Sequence, residues 1–90
     1  MKKHLNIRVH GKVQGVFFRA TTQDTAQKLG VTGFVRNEPD GTVYIEAEAG
    51  KKTLDNFLKN IKEGPRMADV IDIKISEGEV KDFEDFEIRY

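Results

Sequence analysis

Leu54, Phe57, Leu58 and Ile61 fall at i, i+3, i+4 and i+7, the clearest helical stripe in the chain, while the segments around it alternate with a period of two. That change of period constrains the fold more than any other feature. A helix and a strand that each carry one apolar face must stack to remove those faces from water. Gly64 and Pro65 close this helix.

The alternating segments are read directly. From His4 to His10, Leu5, Ile7 and Val9 share one face and His4, Asn6, Arg8 and His10 the other, which predicts a half-buried strand. Residues 31–37 and 42–49 read as two strands of a hairpin, because Pro39 presets a turn between them and Gly41 tolerates positive φ. Residues 70–75 set Ile71, Ile73 and Ile75 against Asp72 and Lys74, and a short last strand runs through Phe86, Ile88 and Tyr90. A second helix is expected over residues 18–29, with Phe18, Thr22, Ala26 and Leu29 as its weakly apolar face and Gly30 as its stop.

The resulting order, β-α-β-β-α-β, is that of an α+β fold of the ferredoxin-like split βαβ type, with two helices on one face of a mainly antiparallel sheet. Many unrelated activities use this fold, so function has to be read from a site. Leu, Ile, Val and Phe supply 25 of the 90 residues, above the level at which chains stay disordered. Residues 1–90 are accordingly expected to form a single domain around one core.

Composition removes whole classes of chemistry. With no cysteine there is no disulfide, no thiolate nucleophile and no cysteine-based zinc or iron–sulfur site. No apolar run approaches the roughly 20 residues that span a bilayer, and the start from Met1 to Asn6 lacks a secretory stretch, so a cytoplasmic protein is expected. A monomer is expected as well. The only serine, Ser76, follows a predicted strand far from a basic partner, and there is no P-loop or dinucleotide fingerprint. His4 and His10 stand about 20 Å apart at 3.3 Å per strand residue, too far to share a metal, and each reads as a surface strand histidine. No carboxylates fall at a metal-ligand spacing, so neither metal nor cofactor is expected.

Net charge is zero but unevenly spread. Residues 1–37 carry seven basic groups against Asp24 alone, whereas residues 38–90 carry eight basic groups against fourteen acidic ones. Two solvated faces, or a field drawing small anions to the basic half, both fit this pattern.

The remaining candidate is the loop from Val13 to Arg19, between the first strand and the first helix. Amides at such a junction lack intrachain partners, and the helix dipole adds partial positive charge, so phosphate-sized anions bind there. Gln14, Gly15, Val16, Phe17, Phe18 and Arg19 are the expected phosphate-binding residues. Glycines at 11 and 15 let the backbone turn and approach a ligand, and Arg19 offers a guanidinium fork. From spacing alone, the loop reads first as an ordinary turn with a surface arginine, and Asn37 as a turn asparagine.

The run VHGKVQGVFFR from Val9 to Arg19, followed by GFVRN from Gly33 to Asn37 and DGTV from Asp40 to Val43, resembles the paired signatures of acylphosphatases. The resemblance extends through Gly64 and Pro65 to the closing aromatic strand. It departs at Phe17, where a small residue is frequent, and at Phe34, where tryptophan is frequent. It implies hydrolysis of acyl phosphates, with Arg19 binding the substrate phosphate and Asn37 positioning the attacking water. Arg36, on the opposite strand face from Asn37, is expected to be a solvated charge.

Two other functions compete. RNA-recognition domains share this topology and use aromatics on the sheet face. Against that, the third strand would turn Thr42, Tyr44, Glu46 and Glu48 outward, placing two carboxylates where a phosphate backbone must pass, so no nucleic-acid partner is expected. A non-catalytic anion-sensing module is the second alternative, and Asn37 favours turnover over sensing.

Overall fold

The computed structural model describes residues 1–90. Its elements follow in the order β1 (Lys2–Lys12), α1 (Phe18–Leu29), β2 (Thr32–Asn37), β3 (Val43–Gly50), α2 (Lys51–Glu63), β4 (Asp69–Gly78) and β5 (Phe86–Arg89). The strands form one sheet ordered β4-β1-β3-β2-β5, antiparallel throughout except that β5 runs parallel to β2. Helix α1 packs on β2 and β5, and α2 on β3 and β4. This is the expected ferredoxin-like split βαβ arrangement with β5 added at the β2 edge.

The periodicities explain the core. Leu5, Ile7 and Val9 of β1, Val35 of β2 and Val43, Ile45 and Ala47 of β3 meet Phe18 and Ala26 of α1 and Leu54, Phe57 and Ile61 of α2. Burying each larger side chain contributes about 1.5–3 kcal/mol. Phe57 and Phe86 meet edge to face with ring centres 6.0 Å apart, which ties α2 to β5.

Element ends differ from the periodicity by a few residues, for identifiable reasons. The Val31 amide donates to the Ala26 carbonyl at 2.8 Å and so finishes α1, leaving Thr32 to open β2. Thr42 is taken up by Asp40 Oδ1, to which its amide and hydroxyl donate at 3.0 and 2.6 Å, so β3 starts at Val43. β4 extends to Gly78 and takes in Ser76 opposite Asn6. A register shift at His10 and Gly11 brings Val70 against the core and leaves Ile71 exposed, interrupting the expected isoleucine face. A Cβ at Gly11 would meet the Asp69 carbonyl, so this glycine serves strand pairing rather than a ligand.

The open sheet face holds the main corrections. Residues 79–85 cross it: the Lys81 and Phe83 amides donate to the Glu48 carboxylate at 2.6 and 3.2 Å, and the Phe83 ring lies 5.9 Å from that of Phe34. His4 is therefore not a surface histidine but only 2% exposed, with its Nδ1 hydrogen-bonded to Glu48 Oε2 at 2.7 Å. Glu46 and Glu48, expected on an accessible face, are likewise buried. A strand periodicity reports which side a residue faces, not whether a later loop covers that side.

Candidate active site

The loop joining β1 to α1 is fixed from below by Val13 and Val16, both buried in the core, which leaves the intervening backbone turned outward. Gly15 has φ 71° and Phe17 φ 63°, while Gln14, Val16 and Phe18 keep negative φ. Such alternation directs successive amides toward one concavity and makes an anion nest. The amides of Gln14, Gly15, Val16 and Phe17 donate to no acceptor in the chain. Those of Phe18, Arg19 and Ala20 are first-turn amides of α1, without intrahelical partners. No side chain caps this helix, and its first turn has no acidic residue, so its positive end is uncompensated.

Arg19 and Asn37 line the same cleft, of about 310 Å³, with Val13, Gly15, Phe17, Phe18, Ala20, Ile88 and Tyr90. Arg8, Arg36 and Arg89 each hold a carboxylate, whereas Arg19 has no acidic partner. Its guanidinium instead rests 4.8 Å from the centre of the Tyr90 ring, an arrangement that holds it without using its donors. Asn37 ends β2, and its Oδ1 is buried with no hydrogen-bond partner. An unpaired buried acceptor costs about 1–3 kcal/mol, so this atom gains from any donor that reaches it.

Gly15, Phe17, Phe18, Arg19 and Asn37 thus come together as the sequence pattern indicates. Gln14 and Val16 belong to the loop without lining the cleft. The Gln14 side chain is engaged elsewhere: Nε2 donates to the Glu38 and Thr42 carbonyls at 2.8 and 2.9 Å. It thereby ties the loop to the turn that immediately follows Asn37. Tyr90, Ile88 and Ala20 also line the cleft without a site signal in the sequence, and Val13 enters there only as the start of the loop. For Tyr90 and Ile88 the signal, alternation in the last strand, was visible, but nothing in it says that this strand lies parallel to β2.

Arg36 is half-buried rather than solvated. Its Nε donates to Glu38 Oε2 at 3.1 Å, and its guanidinium lies over the Tyr44 and Phe34 rings at 4.9 and 5.5 Å. The polar cluster beneath residues 79–85 is separate from the cleft. Burial alone raises the Glu48 carboxyl, but hydrogen bonds from the Lys81 amide, His4 and the Phe83 amide outweigh it and hold it below its usual range. Glu46 follows the same pattern, with Lys81 and Tyr44 as donors. Burial, and then the hydrogen bond to Glu46, push the Tyr44 hydroxyl up to about 12. No three histidine or carboxylate side chains gather where they could hold a metal ion.

Comparison with known proteins gives one consistent result. A family model described as Acylphosphatase matches residues 5–88. An acylphosphatase of Archaeoglobus fulgidus is 45% identical over 86 residues, covering 96% of this chain and 97% of that protein. One from Thermotoga maritima is 44% identical over 88 residues, covering 98% of each. The crystal structure of acylphosphatase from Bacillus subtilis superimposes with a TM-score of 0.95 at 36% identity, over the full length of both chains.

Proposed function

The chain belongs to the acylphosphatase family, and from that premise we propose that it cleaves the carboxyl–phosphate bond of acyl phosphates by direct attack of a water molecule. The observation that carries this reading is one cleft lined by three unpaired partners for the reaction: the loop amides, the Arg19 fork and the Asn37 carboxamide. Residues 1–90 act as one acylphosphatase-like domain.

The Arg19 guanidinium takes two phosphoryl oxygens, and the amides of residues 14–19 take the rest of the negative charge. Asn37 Oδ1 accepts a hydrogen bond from the attacking water and so orients it; a carboxamide cannot remove its proton. The proton leaves late, to a phosphoryl oxygen, once the bond to the leaving group has loosened. Water oxygen bonds to phosphorus as the phosphorus–oxygen bond to the acyl group breaks, releasing a carboxylate and inorganic phosphate. No serine, cysteine, histidine, aspartate or glutamate lines the cleft, which favours direct attack over a phosphoenzyme on one of those groups.

The leaving group explains why so small a site suffices. A carboxylate of pKa near ~4 departs without a general acid, whereas a phosphomonoester leaves as an alkoxide and usually wants an acid or a metal. The reaction therefore requires no metal and no cofactor. The substrate is a small molecule, and the chain works as a cytoplasmic monomer with no nucleic-acid or membrane partner. In support, Arg8 and Arg36 on the open sheet face share Glu38, and Arg8 also lies 3.9 Å from Asp40.

The test is release of inorganic phosphate from an acyl phosphate and from a phosphomonoester, in chelator, with Arg19→Ala as control. Chelator-insensitive turnover of the acyl phosphate alone is expected. Binding without turnover, dependence on added metal, or comparable ester hydrolysis overturns the reading. Saturable RNA binding in a low-salt gel shift, with no acyl phosphate hydrolysis, would replace it with the RNA-recognition alternative.

A further inference from the structure

The chain has six phenylalanines and two tyrosines, of which four are buried, Tyr44 and Phe83 are partly covered and two are exposed. The exposed pair, Phe17 at 79% and Tyr90 at 99%, both line the cleft that holds Arg19 and Asn37. A phosphoryl group is bound by amides and a guanidinium and makes no use of apolar wall. The aromatic surface is therefore surplus to phosphate recognition, and it lines the same cleft, within which the other half of an acyl phosphate has to be accommodated.

Phe17 is also placed at a conformational cost. Its φ of 63° is left-handed, a region that disfavours bulky side chains, and its exposed ring recovers little by packing within the chain. Tyr90 is steadied from one side by the Arg19 guanidinium. Two rings with few rotatable bonds, held open to solvent beside a polar anchor, match a flat apolar group at low entropic cost. Building on the acyl phosphate reading, we infer that Phe17 and Tyr90 hold the acyl side of the substrate. The chain thus selects acyl phosphates bearing an aromatic or comparably bulky apolar acyl group over those with a short one.

The test compares kcat/KM for benzoyl phosphate and acetyl phosphate in the full chain and in Phe17→Asn and Phe17→Gly. Asparagine and glycine both tolerate left-handed backbone, so neither substitution strains the loop, and melting curves at or above the parent's verify folding. The benzoyl-to-acetyl ratio is expected to fall by about tenfold in both variants, the scale of one lost apolar contact in a pocket. A ratio within twofold of the parent's in both overturns the inference while leaving the acyl phosphatase reading intact. A fall in the glycine variant alone also overturns it, since that reports a loosened loop rather than a lost ring. Failure of the parent to hydrolyse either compound overturns the underlying reading instead.

Discussion

The Arg19 guanidinium lies 4.8 Å from the centre of the Tyr90 ring and has no acidic partner in the chain. An aromatic face orients a guanidinium while leaving its N–H donors free, which an ion pair would not do. The donors are thus free before any ligand arrives, and in the proposed reaction they are available to the phosphoryl oxygens as charge develops there.

Replacing Arg19 by Ala is expected to cost about 3–4 kcal/mol in transition-state binding, a loss of several hundredfold or more in kcat/KM for an acyl phosphate. Arg19→Lys should recover little, since a single ammonium cannot reproduce the two-pronged contact. Steady-state kinetics check this; a lysine variant at the parent rate would reduce the fork to a point charge.

Asn37→Ala is expected to lower kcat far more than it raises the inhibition constant of inorganic phosphate, because water placement matters during reaction and not during anion binding. The same variant relieves a buried acceptor without a partner, so its melting temperature should not fall. Equal losses in kcat and phosphate binding would reassign Asn37 to ligand contact.

Gln14 joins the anion loop to the carbonyls of Glu38 and Thr42, on the turn just past Asn37. In Gln14→Leu this tether is lost, Asn37 is free to shift relative to the loop, and kcat should fall by about ten- to a hundredfold with KM within about twofold. Inhibition by phosphate separates the two possible roles of the side chain. A tether leaves it near the parent value, while a direct phosphate ligand weakens it about tenfold.

Glu46 and Glu48 are held below their ordinary value of 4.5 in the fold, so both bind protons more readily when unfolded. Their contribution is complete above that value and disappears as pH falls through the lower folded values. Acid unfolding, followed by circular dichroism, should therefore steepen below about pH 4.5. Glu48→Gln should flatten that slope and cost about 1–3 kcal/mol at neutral pH, since a carboxamide cannot satisfy all the donors now facing this site. An unchanged slope would remove Glu48 from the acid transition.

How far the sequence alone reaches can be judged from particular residues. Ile7, Val9, Leu54 and Phe57 announced their burial through period, and Gly30 and Gly64 announced the helix ends through backbone chemistry. Arg19 and Asn37 were legible as a pair only because two motifs occur together at a set distance; neither residue's spacing alone sets it apart. His4 and Glu48 were misread, because residues 79–85 that cover them carry no periodic signal. Tyr90 was seen as a strand residue but not as a wall of the cleft, since strand pairing is a long-range fact that local pattern does not encode.

The crossing of residues 79–85 over the open sheet face reaches beyond that face. The same stretch leads directly into β5, and the Gly33 amide fastens its end by donating to the Asp85 carbonyl at 2.8 Å. One short stretch thus joins the Glu48 latch on the open face to the strand that carries Ile88 into the cleft. Amide exchange at Lys81 and Gly33 reads whether the two ends of that stretch open together.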